Sequence, residues 1–171
     1  SRVKHGLGAS GPHRPAEALG HFDPAIKRKS KYAEAHIHRA AVLSVLGRDE
    51  EAVASCRKAI TLTPKDPQAH YNLGNSLRQL GRLEEALACF DRALTLRPAY
   101  PNALNSRGMI LHDMRCLDEA LGCYDRAIAL QPFNADALNN RGITLTALDR
   151  CDDALASHDQ ALAFQPNDAQ I

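Results

Sequence analysis

Eight histidines, five cysteines and four recurring carboxylate pairs are the side chains of this 171-residue chain that could hold a metal or move a proton. Their spacing argues against both. The histidines stand at 5, 13, 21, 36, 38, 70, 112 and 158, and no set of His, Cys and carboxylates shows the ligand spacing of a metal site. His36 and His70 are followed at the same interval by Leu104 and Leu138, an equivalence that speaks for packing. An odd number of cysteines gives no disulfide framework, so reduced thiols acting as small hydrophobes are expected. Gly6, Gly8 and Gly11 spell G-x-G-x-x-G, but no strand precedes them, which removes the context a dinucleotide site needs. The pairs Glu50-Glu51, Glu84-Glu85, Asp118-Glu119 and Asp152-Asp153 each open an expected helix, where the helix dipole accounts for them without a catalytic role. Nothing resembles a nucleophile–base pair or a phosphate loop. The sequence therefore predicts no enzyme activity, no cofactor and no metal.

The elements carrying these residues recur every 34 positions, as 33–66, 67–100, 101–134 and 135–168, without a gap. Place eight holds Ala40, Gly74, Gly108 and Gly142, and place twenty holds Ala52, Ala86, Ala120 and Ala154. Place twenty-four reads Cys56, Phe90, Tyr124 and His158, place twenty-seven is alanine throughout, and place thirty-two is proline throughout. Within the second copy Leu73, Leu77 and Leu80 share one helical face, and Ala86, Leu87, Phe90, Ala93 and Leu94 form a second. Each copy thus predicts two helices. Small residues at eight, twenty and twenty-seven let them approach closely, and the large residue at twenty-four fills the space left. Gly47 and Gly81 suit the positive φ of the reversal between them; Arg115 and Asp149 replace them later, and a strained or altered turn is expected at Arg115. Asp66 and Asn134 stand where they can cap the next first helix.

These repeats resemble the tetratricopeptide repeat, whose length and small-residue, aromatic and proline positions are the ones above. The resemblance implies an all-α, right-handed superhelical solenoid of antiparallel helix pairs. Residues 14–32 continue the pattern backwards as a lone second helix kinked at Pro24, residues 1–13 are irregular, and 169–171 begin a further repeat. Such a chain is expected to be part of a longer array or to associate end to end. Net charge is +1, so no global field points to nucleic acid or membrane. Residues 1–32 carry seven basic and two acidic groups while 135–168 carry two and six, a polarity that favours head-to-tail self-association. No apolar run approaches the ~20 residues of a membrane span and no signal-peptide pattern is present, so a cytoplasmic location is expected.

The resemblance also places the first helices on the concave side of the superhelix, with places two, five, six, nine, twelve and thirteen facing in. Those places hold Gln68, Tyr71, Asn72, Asn75, Arg78 and Gln79 in the second copy. The third gives Asn102, Asn105, Ser106, Met109, His112 and Asp113; the fourth gives Asp136, Asn139, Asn140, Ile143, Thr146 and Ala147. The first, from Glu34 and Ile37 to Ala41, Ser44 and Val45, is more apolar. An amide offers a donor and an acceptor, so a stripe of amides suits peptide backbone. Asn72 and Asn140 at place six resemble the asparagine ladder in the repeat arm of O-GlcNAc transferases, with Ser106 and His38 interrupting it. A clamp for acidic tails is disfavoured, because no lysine follows Lys65 and Arg78 is the one arginine at these places. Arg39, Arg107 and Arg141 at place seven are expected to lay their stems on the helix pair and reach a neighbouring carboxylate, with the Asp91, Asp125 and Asp159 series as candidates. The function expected is a non-catalytic scaffold binding an extended peptide or partner helix in its groove. The recognition arm of a larger glycosyltransferase-like enzyme and a self-assembling structural protein are the alternatives.

Overall fold

The computed structural model describes residues 33–164. They form eight α-helices: α1 (Ala33–Val45), α2 (Asp49–Leu62), α3 (Pro67–Gln79), α4 (Leu83–Leu96), α5 (Pro101–Asp113), α6 (Leu117–Leu130), α7 (Ala135–Ala147) and α8 (Cys151–Phe164). The partial repeat expected at 14–32, its Pro24 kink, and residues 1–13 and 169–171 lie outside the described residues. Two compact units divide the chain, residues 1–86 and 87–171, with the boundary inside α4.

Local chemistry sets the helix ends. Asp66 accepts a hydrogen bond from the Gln68 amide at 2.8 Å, with Pro67 at the first position of α3, and Asn134 accepts from the Ala137 amide at 3.0 Å to start α7. The four helix reversals share one geometry, with φ of +69° at Gly47, +73° at Gly81, +65° at Arg115 and +58° at Asp149. In each, the next amide reaches back to a carbonyl in the last turn: Arg48 to Leu43, Arg82 to Leu77, Cys116 to Leu111 and Arg150 to Leu145, at 2.8–2.9 Å. The reversal at Arg115 is therefore not altered. Its closing bonds hold an arginine in the left-handed region that glycine occupies at Gly47 and Gly81, and strain at that φ is the cost.

The carboxylate pairs have a second use besides the dipole. Arg48 bonds Glu51 through two nitrogens at 2.6 and 2.8 Å, Arg82 bonds Glu85 at 2.7 and 2.8 Å, and Arg150 bonds Asp153. In the third repeat Cys116 stands where those arginines do, and no clamp forms.

In the first unit Ala33 and Ile37 of α1 pack with Ala59 of α2 and Ala69 of α3, while Ala52, Val53 and Cys56 bury the facing side of α2. In the second, Leu111, Ala120, Cys123 and Tyr124 form one cluster, Leu104, Ala127 and Ala137 another, and Leu121, Leu145 and Ala154 a third. A Cβ built on Gly108 would lie 2.6 Å from Cε1 of Tyr124, and one on Gly142 would lie 2.7 Å from the His158 ring. The small residue at place eight is thus the seat of the ring at place twenty-four.

Candidate functional site

In the first unit α1 and α3 enclose a hollow of about 190 Å³ lined by Ala40, Ala41, Ser44, Asn72, Asn75 and Ser76. Four of these, Ala41, Ser44, Asn72 and Asn75, hold places that the sequence assigns to the groove. Gln68 donates to Asn72 Oδ1 at 2.8 Å, one turn apart on α3. Tyr71 and Arg78 are half-buried, Gln79 is exposed, and Nε of Arg78 is buried without a hydrogen bond.

The second unit holds a hollow of about 130 Å³ lined by Met109, His112 and Asp113 of α5, Tyr124 of α6, and Asn140 and Ile143 of α7. All but Tyr124 stand at groove places. Asn140 donates to Asn105 Oδ1 at 3.0 Å, a bond that joins the first helices of successive repeats. Beneath them, Thr144 is fully buried and donates its hydroxyl hydrogen to the Asn140 carbonyl at 2.8 Å. Its oxygen then accepts from Nδ1 of His112 at 3.0 Å and is hydrogen-bonded with the Tyr124 phenol. Burial holds the Tyr124 phenol above its ordinary titration range, so it stays protonated. Asn102, Asp136 and Asn139 are exposed on α5 and α7 and lie outside this hollow.

Tyr124 and Thr144 escape the sequence reading. Tyr124 reads there as filler for the helix pair, yet its ring also walls the hollow. Thr144 carries a hydroxyl at place ten, as Ser76 does, where Val42 and Ile110 stand in the other two copies, and that change was the available signal.

The amide stripe is also less free than its spacing implies. Asn72, Asn105 and Asn140 each make a side-chain bond within the protein, because neighbouring groove places bring one amide within reach of another.

The place-seven arginines reach carboxylates as expected, two of them in the aspartate series. Arg107 bonds Asp91 at 2.6 Å and Cys123 Sγ at 3.0 Å; Arg141 bonds Asp125 and the Ser157 hydroxyl, each at 2.6 Å. Arg39 meets the Ser55 hydroxyl and the Glu51 carboxylate on α2. His36 is 3% exposed. Burial, with Lys58 and Arg39 nearby, lowers its pKa from the ordinary 6.5. Among the described residues no group of three or more His, Cys and carboxylate side chains is placed to hold a metal. No described helix is long and apolar enough to cross a membrane.

Tetratricopeptide-repeat family models match residues 67–100 and 99–167, and a TPR repeat model matches 45–77. The chain is a tetratricopeptide-repeat protein, all-α and built of antiparallel helix pairs. No curated protein sequence matches it. Among solved structures it is similar to YrrB, described as a TPR protein with an unusual peptide-binding site, at 29% identity over 90% of this chain and 79% of that one, with a TM-score of 0.72. A thermophilic TPR protein of Thermus thermophilus, TTC0263, shares 24% identity over 91% and 85% of the two chains, TM-score 0.77. MamA from Desulfovibrio magneticus shares 19% over 91% and 88%, TM-score 0.80. The repeat fold is that of a protein-interaction scaffold.

Proposed function

We propose that the chain binds an extended peptide or partner helix on the groove faces of its first helices, without catalysing a reaction. The observation that carries this reading is the convergence of groove-place residues from successive first helices on a hollow in each unit. Each hollow offers amide groups for backbone and walls for a side chain. A hydrogen bond contributes about 0.5–1.5 kcal/mol net, so a few amides give modest affinity and side-chain burial adds the rest. The similarity to YrrB supports the same reading.

The test uses a peptide selected against the wild-type chain from a displayed random library. Replacing Asn72, Asn105, Asn139 and Asn140 together by alanine should weaken its binding by about tenfold or more, the loss of one or two hydrogen bonds. Stability should change by less than about 1 kcal/mol. Removing Asn105 and Asn140 as a pair orphans neither partner, and alanine is the better helix former. A variant that unfolds, or one that binds like wild type, contradicts the proposal.

A second reading, association of one copy with another, rests on the outer face of α8. Leu155 and Leu162 are 62% and 66% exposed, whereas Val53 and Leu121, at the place of Leu155, are 2% and 8% exposed. Sedimentation over a concentration series should show reversible association that weakens with salt, since the acidic fourth repeat and basic residues 1–32 attract over a Debye length of ~8–10 Å. A strict monomer at high concentration and low salt contradicts it.

A further inference from the structure

We infer that the hollow of the second unit receives a lysine side chain of the peptide partner. This assignment rests on the groove reading above and goes further, to the chemistry of the bound residue. Two acceptors line the hollow. Asn140 commits an N–H to Asn105, and its Oδ1 remains. Asp113 adds an exposed carboxylate. Against these, Asn140 keeps one further N–H.

Met109, Ile143 and the Tyr124 ring supply apolar walls beside the acceptors. A lysine matches both halves, with a four-carbon stem for the walls and three N–H donors, without an acceptor, at its tip. Charge agrees, because the groove places of α5 and α7 hold Asp113 and Asp136 and neither lysine nor arginine. A glutamate tip would bring its charge to Asp113 and find acceptors where it needs donors.

The experiment titrates capped alanine peptides carrying one central lysine, norleucine or glutamate into the whole chain. It follows the Asn105 and Asn140 side-chain amides and the Ile143 methyls by NMR. Norleucine keeps the stem and lacks the charge. The lysine peptide should saturate at about fivefold lower concentration than the norleucine peptide, and the glutamate peptide should bind least. Asp113→Asn should weaken lysine binding about fivefold, the upper range for one exposed charge pair, and leave norleucine binding and the melting temperature in place. Equal affinity for lysine and norleucine, or an unchanged lysine titration in Asp113→Asn, overturns the lysine assignment with the groove reading intact. Perturbation confined to α6 and α8, or none with any peptide, overturns both.

Discussion

Gly108 lacks a side chain because the Tyr124 ring occupies the space a Cβ would need, and the copies of the repeat treat this pair of places together. Where place twenty-four is the small Cys56, place eight is Ala40; where it is Tyr124 or His158, place eight is glycine. Gly108→Ala should therefore destabilise the chain by about 1–3 kcal/mol, because a fully buried tyrosine has nowhere to withdraw. Gly142→Ala should cost less, since His158 is half-buried and its ring can swing outward. Urea unfolding of both variants checks this, and equal costs would contradict it. This correlation was legible in the sequence because it depends on residue size alone. The Asn105–Asn140 bond and the Thr144 network were not, because they depend on side-chain rotamers that spacing does not determine.

The helices themselves were legible, since a face of small and apolar residues at helical spacing leaves little choice. Their reversals were legible at Gly47 and Gly81 but not at Arg115. There the closing bond from Cys116 to Leu111 overrides a residue ill suited to positive φ. On α1, His36 occupies a place that α5 and α7 fill with Leu104 and Leu138, so the helix buries a titratable ring where its counterparts bury hydrocarbon. Its folded pKa is lowered, so on acidification the unfolded chain takes the proton first. The stability it contributes is complete above about pH 6.5 and is lost as the pH falls from there through the lower folded value. His36→Leu should flatten the pH dependence of unfolding below pH 6.5. It should also stabilise the chain at pH 7, because it removes a buried Nδ1 that has no hydrogen-bond partner. Urea midpoints measured between pH 5 and 7 on both proteins decide it. An unchanged slope would contradict the argument.

At the scale of the whole chain, a gapless 34-residue period carried both the fold and the family, since one helix pair cannot bury its own apolar face and a series of pairs can. It carried less about the site. Groove places name the residues on a face, whereas the two hollows arise from which of those side chains fold back on one another and which leave space. The most direct test of peptide binding on the first helices is photo-cross-linking, with a benzophenone in the peptide selected against the wild-type chain and adducts located by mass spectrometry. Adducts are expected on α1, α3, α5 and α7, concentrated at Ser44, Asn72 and Asn75 in one unit and at Met109, Asn140 and Ile143 in the other. Adducts confined to α2, α4, α6 and α8 would contradict it.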